Sequence, residues 1–448
     1  MRMPEIPPDS KEILQGRAPW EVARTLELLA RPGQAEVEGR YLHWDELRRH
    51  PVPVGLTHRE WWFQIDMTRR AMRAPLALRD KQGRPFCYAT PGNVLEGLHR
   101  IDRELGNHLE STAPQLGDKE IQERYIVRSL MEEAITSSQL EGASTTRKVA
   151  KEMLVEKRQP RTKSERMISN NFQAMEWLRR QTKERLSISF LRELHEILTQ
   201  DTLEADEVGR LRRADEQVTV MDQGDGEVLH IPPEAEALPE RLKALCAFAN
   251  EEGANGFVHP VVRAIALHFA LGYEHPFVDG NGRTARALFY WSMIRQGYWI
   301  AEFLPISRIL QRAPVKYGRA FLFTETDSND LTYFLLHQLE VLRYATEDLY
   351  VYLRRKQEEA LHAEQILRRE VDLNHRQREL LLHALRHPTA RYDIDSYRRQ
   401  HSVVYQTARQ DLLDLEAAGL LRKVRVGRAY SFSPVSGLQQ VMERKKAR

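Results

Sequence analysis

The chain has 448 residues, 42% apolar and 29% charged, which excludes a disordered polymer and exceeds what one compact core usually holds, so two or three domains are expected. Its two cysteines, Cys87 and Cys246, lie far apart and outside metal-ligand spacing, which excludes a disulfide framework and suits a reducing cytoplasm. A net charge of +3 is too small to imply nucleic acid by itself, and with no apolar run of about 18 residues and no signal-peptide pattern no membrane partner is expected.

Residues 1–115 read as a mixed, packed N-terminal region. Its Trp61-Trp62 pair suits packing better than peptide capture. Residues 116–362 turn helical, with Ile121, Tyr125, Leu130 and Ala134 near one stripe of a first helix. Further helices are expected at 164–182, 187–200, 235–250, 258–274, 283–297 and 329–362. Between them, 217–231 alternates β-branched and polar residues around DQGDG and reads as a β-hairpin. Residues 370–448 give three helices and two strands around Gly427, with Gly419 ending the third helix. That is the order of a winged helix-turn-helix. The predicted fold is mainly α, with a helical core, a small hairpin and this C-terminal domain.

The chemistry concentrates in His275-Pro-Phe-Val-Asp-Gly-Asn-Gly-Arg-Thr-Ala-Arg286, between an apolar helix and the start of another. Gly280 and Gly282 let successive N–H groups converge, and the next helix adds its unpaired N-terminal donors, which together make an anion cradle. Arg283 and Arg286 can clamp phosphate oxygens. Asp279 beside a polyphosphate suits Mg²⁺. His275 can take a proton from a hydroxyl at neutral pH. Phe277 is expected to point into the core, and Asn281 to meet phosphate or brace the turn. Singly, each has a bland reading as a turn, a core histidine or a solvated arginine face; together in twelve residues they point to phosphate chemistry.

This stretch resembles the Fic motif, HxFx(D/E)GNGRxxR, at every defining position. The resemblance implies a Fic-type helical core that transfers AMP from ATP, with Mg²⁺ or Mn²⁺, to a Ser, Thr or Tyr hydroxyl of a target protein or of the chain itself. His275 is then the general base and Asp279 the metal ligand. Gly280, Asn281, Gly282, Arg283 and Arg286 hold the phosphates, and Tyr317 packs near the adenine. Ala285 stands where many relatives have Gly. The hairpin matches the family's flap, where Val218, Thr219 and Val220 would dock a target by strand addition.

Upstream, Ser137-Ser-Gln-Leu-Glu141-Gly142 resembles the family's inhibitory motif, (S/T)xxxE(G/N), on a helix at about 119–142. Ser137 and Glu141 share a helix face, Gly142 ends the helix, and Glu141 is expected to pair with Arg286 and so restrain transfer. In the C-terminal domain, Gln406, Thr407, Arg409 and Gln410 on the third helix, with Arg425 and Arg428 in the wing, are candidate DNA contacts; Asp411, Asp414 and Glu416 dilute that charge. A homodimer is a further expected partner. The competing readings are a DNA-binding regulator with a sensing or idle core, and a Fic enzyme that removes AMP or uses another nucleotide.

Overall fold

The computed structural model describes all residues except 16–17, 32, 107–118, 223, 225, 253–255, 370–372, 388–389, 427–428, 439–440 and 443–448. Arg428 and the Gly427 turn lie outside the described residues. Two compact units form, Met1–Glu347 and Asp348–Arg448.

The first unit opens with α1 (Ser10–Leu14), α2 (Pro19–Ala30), α3 (Trp44–Leu47) and α4 (His58–Met72). Helix α4 starts at a capping box in which Thr57 and Glu60 bond each other's backbone N–H, satisfying two orphan donors of its first turn. Trp61 and Trp62 are buried with Leu42, Trp44, Leu47 and Ile65, a packing role. An antiparallel hairpin follows, β1 (Ala74–Arg79) with β2 (Pro85–Tyr88). It went unread in the sequence because Pro75 and Pro85 break the strand pattern. Then come α5 (Gly92–Leu105), α6 (Lys119–Leu140), α7 (Arg147–Glu156), α8 (Lys163–Arg180) and α9 (Ile188–Thr199).

The short pair β3 (Val220–Met221) and β4 (Val228–His230) precedes α10 (Leu238–Ala249), α11 (Pro260–Glu274) and α12 (Asn281–Arg295). The ladder couples only Val220 to His230 and Met221 to Val228, shorter than the expected 217–231. Val218 and Thr219 stand outside it. The chain continues through α13 (Ile306–Arg312), α14 (Pro314–Thr326) and α15 (Thr332–Arg369). Helices α11 and α12 pack on one another, and both are buried almost all round, as apolar residues on every face require of a central helix. They form the frame on which the loop 275–280 is strung.

The second unit holds α16 (His375–Arg386), β5 (Tyr392–Asp393), α17 (Ile394–His401), α18 (Tyr405–Ala417), β6 (Leu421–Val426) and β7 (Ala429–Pro434). Its sheet has the order β5-β7-β6; β5 was not anticipated, two residues being too few for a periodic signal. Leu380, Leu381, Ala408, Leu412, Leu415 and Phe432 form its core. Among the described residues no helix is long and apolar enough to cross a membrane.

Candidate active site at the start of a buried helix

Helix α11 ends at His275, a non-glycine residue at φ +44°, in the sparsely populated left-handed region. The reversal carries the chain into the loop and turns the imidazole back onto its own helix, where Nδ1 meets the Gly272 carbonyl at 2.8 Å. A carbonyl only accepts, so Nδ1 carries the proton and Nε2 keeps its lone pair. Burial lowers the pKa of this ring, against the Gly272 hydrogen bond. His275 is therefore neutral at pH 7, with Nε2 as its base.

The loop is braced from within. Asn281 accepts from the Phe277 N–H at 3.0 Å and donates to the Phe277 carbonyl at 2.8 Å. Of its two expected roles the side chain therefore takes the brace, because both its polar ends are occupied. Phe277 is fully buried and stacks on His195 with ring centroids 3.8 Å apart. Gly280 adopts φ +82°, and a Cβ there would lie 2.9 Å from Thr199 Cγ2; both conformation and contact demand glycine.

Helix α12 starts at Asn281, so the N–H groups of residues 281–283 have no intrahelical acceptor. Arg283 in this first turn is 1% exposed. Its Nη1 donates to the Leu198 carbonyl at 3.0 Å, while Nε and Nη2 have no hydrogen-bond partner among the described residues. Asp279 Oδ2 is 3.7 Å from Nη2, and burial lowers the guanidinium's pKa. Free helix N–H groups together with an under-satisfied buried cation in the same turn can receive a polyanion. Asp279 is about half exposed; its Oδ1 accepts from the Gly280 N–H at 2.6 Å. The other oxygen is the kind of hard donor a Mg²⁺ ion shared with phosphates uses.

Arg286 is held by the upstream helix. Its Nε donates to Ser137 Oγ at 2.8 Å, and Nη2 donates to the Ser137 carbonyl at 3.0 Å and to Glu141 Oε1 at 2.8 Å. Burial works against this charge, but Glu141, with Tyr317 and Glu133, together outweigh it, so the pKa is raised. Helix α6 stops at Leu140. Ala143 N–H bonds the Ser138 carbonyl and Gly142 N–H the Gln139 carbonyl, with Gly142 at φ +93°, a Schellman ending. That turn delivers Glu141 to the loop: a Cβ on Gly282 would collide with its carboxylate and lie 3.0 Å from Arg286 Nη1.

The hairpin is tethered by His230, whose Nδ1 is 2.7 Å from Glu325 Oε2 and whose Nε2 is 2.7 Å from the Tyr273 carbonyl. Tyr317 is bonded at 2.7 Å to His268 and packs with Phe321 and Phe334. Burial raises its pKa to about 12. Tyr317 also interacts electrostatically with Arg286 and Glu141. Two residues without a sequence-assigned role matter here. His195 and Arg212 bond the loop's backbone. His195 has the signature of an ordinary core histidine on an apolar helix face, and Arg212 belonged to a basic run, Gly209-Arg-Leu-Arg-Arg213, that gave no sign of its target.

In the second unit, Gln406, Arg409, Gln410 and Arg425 are exposed and Thr407 half-buried; Gln410 bonds Asp414 at 2.7 Å. Asp411 corrects the charge count. It is buried and bonded to Asn374, Arg376 and Tyr397, so it takes no charge from the exposed face.

Comparison with known proteins returns the Fic/DOC family over residues 185–293. The chain is 42% identical over 69 residues to the protein adenylyltransferase Fic of Drosophila mojavensis, covering 15% of this chain and 14% of that one. It is 37% identical over 92 residues to the protein of that name from Nematostella vectensis, 20% and 19% of the two chains. The chain thus spans under a fifth of these relatives. A crystal structure of a Fic family protein from Desulfovibrio desulfuricans superposes with TM-score 0.51 at 17% identity, over 77% of this chain and 97% of that one, a likeness of fold. The matched segment 185–293, which contains the loop 275–286 near its C-terminal end, is thus similar to the Fic/DOC domain.

Proposed function

We propose that the chain is a protein adenylyltransferase that moves AMP from ATP to a protein hydroxyl and is restrained by Glu141. One observation carries this reading: a neutral His275 with the lone pair on Nε2 stands one loop away from a buried Arg283 whose Nε and Nη2 have no hydrogen-bond partner among the described residues. The hydroxyl oxygen attacks the α-phosphorus as its proton passes to His275 Nε2. The new O–P bond replaces the bond to the bridging oxygen, and pyrophosphate leaves. Arg283 and the first-turn N–H groups of α12 hold the phosphate oxygens. Asp279 would hold a Mg²⁺ or Mn²⁺ ion, which supplies charge neutralisation on the phosphates.

Glu141 restrains this site by holding Arg286 and by standing over Gly282. A charge-assisted pair of this kind is worth roughly 1.5–3 kcal/mol, about ten- to a hundredfold in an equilibrium. The hairpin, with Val220 in its ladder, would take the target's backbone as an added strand. Donor profiling tests the reading: a Glu141→Gly chain offered ATP, UTP, GTP and CDP-choline should release pyrophosphate from ATP when an acceptor is present. Turnover of CDP-choline or UTP in preference to ATP would reject AMP transfer.

A second reading concerns the C-terminal unit, favoured by the inward turn of Asp411. Its helix α18 then offers Gln406, Arg409 and Gln410, with Arg425 on β6, to DNA as a winged helix would. Binding to duplex DNA should weaken steeply with salt; no binding at 50 mM salt would dismiss it.

A further inference from the structure

An anion cradle fails if a carbonyl oxygen turns into it, because a lone pair would face the phosphate where an N–H should. Five of the six carbonyls of 275–280 are held by protein donors. Arg212 Nε donates to the His275 carbonyl at 2.8 Å and the Arg212 N–H to that of Pro276 at 2.9 Å. Asn281 holds the carbonyl of Phe277, and the Thr284 N–H and hydroxyl hold that of Gly280. His195 Nε2 holds the Asp279 carbonyl at 2.9 Å.

The last contact fixes the bend where the loop becomes helix. His195 is fully buried on α9, and its ring is defined at both nitrogens. The Gly209 N–H donates to Nδ1 at 3.1 Å, so Nδ1 is the acceptor and Nε2 carries the hydrogen given to Asp279. Its face lies against Phe277, interplanar angle 5°. One side chain thus holds the loop at two residues on either side of Val278, at the bend that precedes the first-turn N–H groups of 281–283.

We propose that His195, seconded by Arg212, is a positioning residue for phosphate binding. It fixes the Asp279 carbonyl and the Phe277 ring, and with them the bend into α12, without touching the nucleotide. This rests on the reading of the loop as a phosphate site and adds to it a residue that no motif position marks.

The test compares two replacements in the Glu141→Gly chain by calorimetry with pyrophosphate. His195→Phe keeps a ring against Phe277 and removes the donor; His195→Gln gives up the ring but keeps an N–H four bonds from Cα. The Phe variant should bind pyrophosphate about tenfold more weakly, the lower end of what outer-shell partners cost a site. The Gln variant should stay within about twofold of its parent. A purely structural role would lower both melting temperatures and leave affinity unchanged. Equal affinity for the Phe variant and its parent, or equal weakening in both variants, overturns the proposal. Should the Phe variant fail to fold, Arg212→Met carries the same expectation of weaker binding, and unchanged affinity there overturns it. Transfer is not the readout. Failure of the AMP-transfer reading would appear as pyrophosphate binding by the parent without labelled product, and failure of this inference as indifference to the donor.

Discussion

Arg283 in the first unit and Asp411 in the second are both buried ionic groups, and their surroundings are opposite. Asp411 accepts from Asn374 at 2.7 Å, from Arg376 at 2.8 Å and from the Tyr397 hydroxyl at 3.3 Å. Arg283 has one carbonyl partner, two unpartnered N–H positions and a carboxylate at 3.7 Å. A buried charge without partners opposes folding and persists where something else requires it. Asp411 locks α16 to α18; Arg283 is proposed to receive an anion. Partner inventory, more than burial, separates scaffold from site.

The sharpest break of this comparison is at His275, the proposed base. His275→Ala should reduce transfer by roughly 10²–10⁴-fold with ATP binding intact, since the imidazole meets the hydroxyl and not phosphate; single-turnover rates and calorimetry read the two effects separately. Next, the two buried charges should respond in opposite ways to removal. Asp411→Ala should destabilise α16 and α18 by about 3 kcal/mol, the loss expected when one member of a buried pair is removed, read as faster hydrogen exchange across 375–417. Arg283→Met should leave stability within about 1 kcal/mol of the parent and weaken ATP binding. Equal destabilisation by both would erase the distinction.

Smaller effects sharpen it. Ser137→Ala removes one of three hydrogen bonds on Arg286 and should raise transfer a few-fold, well below Glu141→Gly, because Glu141 and the Ser137 carbonyl still hold the guanidinium. The pH profile gives the mildest check. Burial lowers the His275 pKa below its ordinary 6.5, so the neutral base persists into mildly acid solution. The acid limb of transfer should then be centred below pH 6.5, as the ring gains a proton; an acid limb centred above 6.5 would contradict the stated cause.

Much of this site is legible in local sequence, and the reason is physical. Gly280, Gly282 and the helix start after them act through backbone conformation over a few residues, as does the Schellman ending at Gly142. Contacts between distant segments were legible only through the motif: Ser137 and Glu141 reach Arg286 across about 145 residues. His195 and Arg212 had neither aid. Their partners are backbone atoms, which leave no residue signature, and an ordinary core histidine looks the same in sequence. The hairpin shows the opposite failure. Alternation extended the expected strands through Val218 and Thr219, but the ladder needs paired registers and begins at Val220. In the second unit, Asp411 was read as surface charge because its partner Arg376 lies 35 residues away.

The central claim, that one loop transfers AMP and one glutamate restrains it, is tested most directly by incorporation of α-labelled ATP into protein. Three chains suffice: native, Glu141→Gly, and Glu141→Gly with His275→Ala. Label concentrated in the Glu141→Gly chain and lost with His275→Ala is the predicted result. Equal labelling of the native and Glu141→Gly chains would contradict the restraint, and labelling that survives His275→Ala would contradict the chemistry.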